Sequence, residues 1–230
     1  AGLSLPAGAK VLEVGCGPGL FWERAADQLP ADLDITLTDL SPGMVEEARQ
    51  RVAGLGRWSQ VKAQVADVCA LPFVDAGFDI VLAMHMLYHA SDPDLALVEI
   101  ARVLRLGGVL VASTNGLDNL SALFVLGQRA FGGPRGDRGA AAFSLDGGEA
   151  MLARHFAEVE IRRSRDEMRI TDPADVIAYL TSFPPGDGAD PDALQRLEQE
   201  VQAAFAEGGG VLSVTRDTGY LIGRGPKAAR

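Results

Sequence analysis

The chain has 230 residues, 47% of them hydrophobic and 23% charged, a balance typical of a folded globular protein. No uninterrupted apolar run approaches eighteen residues, so the sequence predicts no membrane-spanning helix. A formal net charge of −10 argues against nucleic acid as the main partner, because phosphate binding relies on a basic surface. With only two cysteines, Cys16 and Cys69, the sequence favours a reducing, cytoplasmic compartment.

Strand-like and helix-like segments alternate from residue 10 to about residue 115. This alternation predicts an α/β fold: a doubly wound, mostly parallel, Rossmann-like sheet with helices on both faces. Ser41 and Pro42 are a predicted N-cap and first helical residue, and Gly107 with Gly108 is predicted to close a helix. The predicted strands are Lys10–Val14, Asp34–Thr38, Val61–Val65, Phe78–Met84 and Val109–Ser113, and the predicted helices are Leu20–Gln28, Met44–Val52 and Asp94–Leu104.

The second half departs from this alternation. Residues 1–115 are predicted to be the cofactor-binding core, and residues 116–144 a small helical lid around the apolar helix Leu120–Phe131, with glycines at both ends. Residues 145–230 would complete the sheet with a helical insertion, so that the whole forms a single domain. Their predicted elements are the helices Asp146–His155, Pro173–Ser182 and Asp192–Ala206 and the strands Val159–Arg163 and Tyr220–Gly223. The first strand comes only nine residues after Ala1, which leads us to expect an upstream segment.

Arginines are frequent in and after the predicted lid, where Arg129, Arg135 and Arg138 lie close together in sequence. Guanidinium groups bind carboxylates and phosphates in a fork geometry, so an anionic acceptor is one interpretation. Solvated surface arginines are the alternative.

A glycine-rich loop follows the first predicted strand. Gly15, Gly17 and Gly19 allow a tight turn and a close approach of the backbone to a ligand. The dinucleotide fingerprint requires its third glycine at position 20, where this chain has Leu20. Glu13, just before the loop, would repel phosphates. The loop therefore suits a cationic ligand better than a pyrophosphate.

Two further carboxylates follow the next strands. Asp39 ends the second strand, where the geometry of such sheets places an acidic group near a ribose. Asp67 follows the third strand and suits the exocyclic amine of a purine. Together with Glu13, these residues predict a site for a nucleoside with a cationic tail.

Five ordered motifs in this half resemble those of the class I S-adenosylmethionine-dependent methyltransferases. The resemblance is closest to their small-molecule branch, the type 11 or ubiquinone-biosynthesis-like enzymes, and it covers residues 10–115. The motifs are Glu13-Val-Gly-Cys-Gly-Pro-Gly19, Thr38-Asp-Leu-Ser-Pro-Gly-Met44, Ala66-Asp67, Phe78-Asp-Ile-Val81 and Leu104-Arg-Leu-Gly-Gly-Val-Leu110.

This resemblance implies S-adenosylmethionine as cofactor and S-adenosylhomocysteine as product. It implies that the glycine loop lines the amino-acid end of the cofactor, with Glu13 facing its ammonium and Asp39 holding the ribose. The implied binding set is Glu13, Gly15, Cys16, Gly17, Gly19, Asp39, Leu40, Met44, Ala66, Asp67, Val68 and Met84.

At the adenine end, the resemblance implies that Met44 packs on the ring, that Asp67 accepts from its amino group and that the Val68 N–H bonds to the ring. Met84 would offer a backbone carbonyl. Several of these roles have structural alternatives: helix core for Met44, a loop cap for Asp67, a helix N-terminal charge for Asp39, an exposed carboxylate at a strand end for Glu13, and a tight turn without a ligand for the three glycines.

The candidate catalytic residues are His85, Tyr88 and His89, which follow the fourth predicted strand, where the active-site groups of doubly wound sheets converge. A histidine there can take a proton from the acceptor as the methyl group arrives. Packing or helix capping is the alternative role for either histidine. No cluster of histidines and carboxylates suggests a metal.

We therefore expect methyl transfer to a small molecule, on oxygen, carbon or nitrogen. A cofactor-binding protein without transfer activity and, less favoured, a dinucleotide oxidoreductase remain as alternatives.

Overall fold

The computed structural model describes residues 5–133, 136 and 138–227. The chain forms two compact units. The first comprises residues 1–114, 142–162 and 219–230, and the second comprises residues 115–141 and 163–218. The boundary between them does not follow the predicted limits of the lid, because residues 142–144 belong to the first unit.

The fold is organised by one seven-stranded sheet in the order β3-β2-β1-β4-β5-β7-β6. Strand β1 pairs in parallel with β2 and β4, β2 with β3, and β4 with β5. Strand order therefore reverses beside β1, which creates the crevice where open α/β sheets bind ligands. The α/β class predicted from the sequence is confirmed. The strands are β1 (Lys10–Val14), β2 (Asp34–Asp39), β3 (Gln60–Val65), β4 (Phe78–Met84), β5 (Leu104–Asn115), β6 (Phe156–Ile170) and β7 (Leu212–Pro226).

Helices cover both faces of the sheet in the first unit. Because β1 and β4 are central strands, their apolar side chains are buried on both faces. On one face Leu12 packs in a core with Leu97, and on the other Val11 packs in a core with Val52. In chain order, the α-helices of both units are α1 (Leu20–Ala25), α2 (Pro42–Gly54), α3 (Pro93–Val103), α4 (Ser121–Phe131), α5 (Arg138–Ala142), α6 (Leu145–His155), α7 (Pro173–Thr181) and α8 (Pro191–Glu207).

Helix α2 begins as its sequence predicts. The Ser41 side chain accepts a hydrogen bond from the Met44 N–H at 3.4 Å, and Pro42 occupies the first turn. Both features satisfy or remove backbone donors that a helix start leaves without partners. The helix start matters for the site because it follows directly on the end of β2.

The prediction that Gly107 and Gly108 close a helix is wrong. Helix α3 ends at Val103, and the chain enters β5 at Leu104. Phe78 pairs with Leu104 but Ile80 with Val109, so β5 carries extra residues here. Gly107 has a φ of +80°, which glycine adopts without strain. These glycines therefore form an irregularity inside a strand.

Strands β6 and β7 are each 15 residues long, much longer than predicted. Their outer parts lie in the second unit and carry charged side chains without the apolar alternation that marks a strand. Ion pairs join the two strands there: the Arg163 Nε lies 2.7 Å from an Asp217 oxygen, and the Arg216 Nε lies 2.9 Å from an Asp166 oxygen. Asp217 is fully buried. Cross-strand partners, which a single segment does not reveal, explain the extra length.

In the second unit, helices α4, α7 and α8 pack around a common core. Leu123 and Leu126 of α4 share a core with Leu180 of α7 and with Leu197 of α8. The Arg129 guanidinium lies 3.1 Å from the Glu200 carboxylate of α8, so this predicted lid arginine is paired within the protein. Pro134, Arg135 and Asp137 of the predicted lid lie outside the described residues, as does the side chain of Arg138. No helix in the described part of the chain is long and apolar enough to cross a membrane.

Candidate functional site

The first unit contains a cavity of about 750 Å³ at the carboxyl ends of β1, β2, β3 and β4. This volume falls within the range of small-molecule sites. The predicted residues at its wall are Glu13, Gly15, Cys16, Gly17, Asp39, Leu40, Met44, Ala66, Asp67, Val68, Met84, His85 and His89. Eleven of the twelve predicted binding residues are thus brought together.

Gly19 and Tyr88 are the two predicted residues that do not line the cavity. A Cβ on Gly19 would lie 3.1 Å from the Ala48 backbone and from Val52, so this glycine allows α2 to pack closely. Tyr88 packs beside the histidines, its ring centre 6.5 Å from that of His85 and 4.5 Å from that of His89.

The glycine loop makes room for a side chain from another loop. Gly15 has a φ of +60°, and a Cβ placed on it would lie only 2.7 Å from the Met86 Cβ. A Cβ on Gly17, by contrast, would meet nothing within 4 Å. Gly15 is therefore required for packing, and Gly17 borders open space in the cavity.

The backbone donors of this loop are largely bonded within the protein. The Cys16 N–H donates to the Thr38 carbonyl at 2.9 Å, and the Gly17 N–H donates to the Asp39 carboxylate at 2.9 Å. The Gly19 N–H donates to the Cys16 carbonyl at 3.1 Å. A pyrophosphate cradle needs such N–H groups to point at the ligand. In this loop, three of these N–H groups are instead bonded to acceptors within the protein.

Glu13 lies at the floor of the cavity with 1% of its surface exposed. The Trp22 Nε1–H of α1 donates to its Oε2 at 2.7 Å. Burial, partly offset by this hydrogen bond and reinforced by the Asp39 charge, raises the pKa of Glu13 to about 8. Trp22 is not among the site residues predicted from the sequence, because nothing in its local pattern indicates that its indole contacts Glu13.

Cys16 is buried beside these carboxyl groups. Burial, reinforced by the charges of Glu13 and Asp39, raises the pKa of its thiol to about 12. Because the thiolate is the reactive form, this cysteine is unsuited to act as a nucleophile.

Asp39 connects the end of β2 to the glycine loop. Its Oδ1 accepts from the Ser41 N–H and its Oδ2 from the Gly17 N–H, both at 2.9 Å. Asp67 is held more locally, because its Oδ1 accepts from the Cys69 N–H at 2.9 Å. Both residues line the cavity, and each carboxylate can accept further hydrogen bonds beyond these.

His85 follows directly after β4 and adopts a left-handed conformation, with a φ of +52°. Partial burial lowers the pKa of its imidazole below the usual value, so the ring is neutral at pH 7 and can accept a proton. His89 ends a short 3₁₀ turn, Leu87–His89, at the same wall. The third histidine, His155, lies 3.1 Å from the Asp94 carboxylate and does not line the cavity.

The described lining is acidic. Its acidic side chains are Glu13, Asp39 and Asp67, and it includes no lysine or arginine. Within the described ranges, no three His, Cys, Asp or Glu side chains are arranged to hold a metal ion. The lining also contains residues that the sequence did not single out for the site, namely Pro18, Leu20, Phe21, Thr38, Ser41, Met86, Ala90 and Ser91.

Residues 12–112 match the family model for a methyltransferase domain. Among curated proteins, the ubiquinone biosynthesis O-methyltransferase of Xanthomonas oryzae pv. oryzae is 42% identical over 121 residues, which are 52% of this chain and 48% of that enzyme. The chain spans less than half the length of the curated relatives it matches.

Solved structures extend the similarity of fold to almost the whole chain. The YcgJ protein of Bacillus subtilis superposes with a TM-score of 0.64 at 19% identity, covering 96% of this chain and 94% of that one. Phosphoethanolamine N-methyltransferase 2 of Haemonchus contortus, solved with S-adenosylhomocysteine, gives a TM-score of 0.56 at 19% identity, covering 97% of this chain and 50% of that one. At these identities the similarity establishes the fold alone.

Proposed function

We propose, since residues 12–112 match the family model for a methyltransferase domain, that this protein is a class I S-adenosylmethionine-dependent enzyme that transfers a methyl group from that donor to a small molecule. The observation that carries the proposal is the chemistry of the cavity: three carboxyl groups line it, and three N–H groups of its glycine loop are bonded within the protein. Such a wall favours a nucleoside with a cationic tail over a pyrophosphate.

The donor would be held along the strand ends. Glu13 would face the ammonium of the amino-acid end beside Gly15 and Gly17, and Asp39 would accept from the ribose hydroxyls. At the adenine end, Asp67 would accept from the exocyclic amine and the Val68 N–H would donate to the ring. Met44 would cover the ring face, and Met84 would offer its carbonyl.

The bound donor supplies a methyl group on a positively charged sulfur, already activated for in-line displacement. The protein must then align the acceptor and exclude water. His85 is the candidate base, because its lowered pKa keeps the imidazole neutral and able to take a proton from the acceptor. Tyr88 and His89 would orient this imidazole or contact the acceptor. The acceptor atom is oxygen, carbon or nitrogen.

We also propose that residues 116–144 act as a cover during the reaction. Helix α4 shares a core with α7 and α8, so we expect it to move together with these helices. Hydrogen exchange with and without S-adenosylhomocysteine tests this. Slower exchange across both 121–131 and 173–207 supports a moving cover, whereas uniform protection without any response to ligand contradicts it.

The cofactor assignment is tested by thermal unfolding with S-adenosylhomocysteine, because a ligand that binds only the folded state raises Tm. NAD⁺ serves as the comparison ligand. A larger shift with NAD⁺ would favour an oxidoreductase, and no shift with either would contradict the assignment. Labelled S-adenosylmethionine with a panel of hydroxyl, amine and acidic-carbon acceptors then tests transfer. Binding without transfer to any of them would favour the alternative of a cofactor-binding protein.

A further inference from the structure

A buried hydroxyl lies beneath the turn that carries His85. Ser113 belongs to β5, pairs with Met84 in the parallel register and is 4% exposed. The His85 N–H donates to both acceptors of this residue, the side-chain Oγ at 2.9 Å and the backbone carbonyl at 3.1 Å. The carbonyl bond continues the β4–β5 ladder, whereas the second bond requires a hydroxyl on the side chain of residue 113.

The hydrogen bond to the Ser113 hydroxyl is made by a residue whose backbone is strained. His85 has a φ of +52°, in the left-handed region that disfavours residues with a Cβ. The cost of this conformation is comparable with the contribution of one hydrogen bond. The hydrogen bond to the Ser113 hydroxyl is therefore large enough to offset the backbone strain at His85.

The turn also determines where the next residue lies. Immediately after His85, the Met86 side chain covers Gly15, in contact so close that a Cβ there would not fit. Both His85 and Met86 line the cavity at the carboxyl ends of β1 to β4. One turn thus sets the position of the candidate base and of a side chain that packs on the glycine loop.

We propose that Ser113 is a positioning residue, whose hydroxyl holds the His85 turn and thereby places the imidazole at the cavity and Met86 on Gly15. The catalytic part of this inference rests on the proposed function, since His85 acts as a base only if methyl transfer occurs. Its structural content is independent of that function. Ser113 itself does not line the cavity and acts through His85.

The test uses Ser113→Ala, with Ser113→Thr as the variant that keeps the hydroxyl. Thr114→Val is the matched control, because the neighbouring Thr114 hydroxyl is also buried but donates to the Phe143 carbonyl at 3.0 Å. The first readout is the pH titration of the His85 imidazole by NMR, assigned with His85→Asn. The second is the affinity for S-adenosylhomocysteine by calorimetry.

In the wild type we expect His85 to titrate below its usual pKa of about 6.5. Ser113→Ala should loosen the turn, because the His85 N–H then keeps only the carbonyl acceptor. We expect this to move the His85 pKa upward toward the usual value and to weaken S-adenosylhomocysteine binding about two- to tenfold, as for one lost hydrogen bond. Ser113→Thr should behave as the wild type. Thr114→Val should lower Tm but leave both readouts unchanged.

A Ser113→Ala protein whose His85 titration and ligand affinity match the wild type would overturn the proposal, as would an equal change in Thr114→Val. If Ser113→Ala fails to fold, His85→Gly provides the second test, because glycine adopts the turn without strain. Adding His85→Gly should then restore folding, and a double variant that remains unfolded counts against the proposal. Failure of the wild type to bind S-adenosylhomocysteine would contradict the proposed function, while the titration would still decide the role of Ser113.

Discussion

The indole N–H of Trp22 donates to the buried carboxyl group of Glu13 at 2.7 Å. Both residues are almost fully removed from solvent, with exposures of 0% and 1%. The bond lowers the pKa of Glu13, but desolvation outweighs it and leaves the pKa at about 8. The helix after the glycine loop thus supplies the hydrogen-bond donor for a carboxyl group that burial keeps largely protonated at pH 7.

Replacing Trp22 by Phe keeps a ring in the core but removes the donor. We expect the free energy of unfolding to fall by about 1 to 3 kcal/mol, because the Glu13 carboxyl loses its partner while buried. Urea denaturation at pH 7 measures this. Trp58→Phe is the matched control: Trp58 packs edge-on against Trp22 at 5.4 Å, and its buried N–H has no partner among the described residues. Equal losses in the two variants would assign the effect to ring volume.

The raised pKa of Glu13 predicts how stability depends on pH. Between its ordinary pKa of about 4.5 and the folded-state value of about 8, the folded protein holds a proton that the unfolded chain releases. Since the folded state binds more protons, its stability should fall as pH rises through this window, by at most about 1.4 kcal/mol per pH unit. Denaturation of Glu13→Gln across pH 5–9 should lack this component.

Glu23→Gln provides the control, since this carboxylate of α1 is about half exposed. A pH profile of Glu13→Gln that parallels the wild type would contradict the linkage. Binding of a ligand ammonium near Glu13 should favour the ionised carboxyl. We therefore expect the affinity for S-adenosylhomocysteine to rise between pH 6 and pH 8 in the wild type and to stay flat in Glu13→Gln.

Asp39 has a structural role as well as its proposed contact with the ribose. Because it accepts from the Gly17 and Ser41 N–H groups, Asp39→Ala should disturb the glycine loop and weaken S-adenosylhomocysteine binding by about 1 to 3 kcal/mol, the range for lost hydrogen bonds to a charged group. Calorimetry measures the change. Asp32→Ala, at an exposed position just before β2, should bind normally. An unchanged dissociation constant for Asp39→Ala would remove it from the site.

Gly15→Ala tests the packing of the loop. Its Cβ would overlap with Met86, and its φ of +60° is strained for alanine. Gly56→Ala is the control for backbone strain alone, because Gly56 has a φ of +63° and nothing within 4 Å of a Cβ. We expect Gly56→Ala to cost about 1 kcal/mol of stability and Gly15→Ala to cost more.

Combining Gly15→Ala with Met86→Gly should recover part of the loss, because the Met86 Cβ and the side-chain atoms beyond it, which would overlap with the new Cβ, are removed. A double-variant cycle of unfolding free energies measures this coupling. Strictly additive changes would show that Met86 and Gly15 do not interact in the way the distances indicate.

The doubly wound core and most of the cavity wall could be predicted from the sequence because their signals are local. A buried strand that ends in Gly15, a carboxylate at the end of the next strand and a helix capped by Ser41 each lie within a few consecutive residues. Parallel strands bring their carboxyl ends to one edge, so that Glu13, Asp39 and Asp67 had to lie close together once the order of elements was known.

Only the tertiary structure decided which partners those residues find. Trp22 reaches Glu13, Ser113 reaches His85 and Asp217 pairs with Arg163 across separations of 9, 28 and 54 residues. The extent of β6 and β7 depends on the same kind of contact, because charged strands without apolar alternation are stabilised by the strand beside them. Hydrophobic periodicity and helix capping depend on residues close together in sequence, so one segment is enough to predict them. A hydrogen bond or ion pair between distant segments depends on how the whole chain packs.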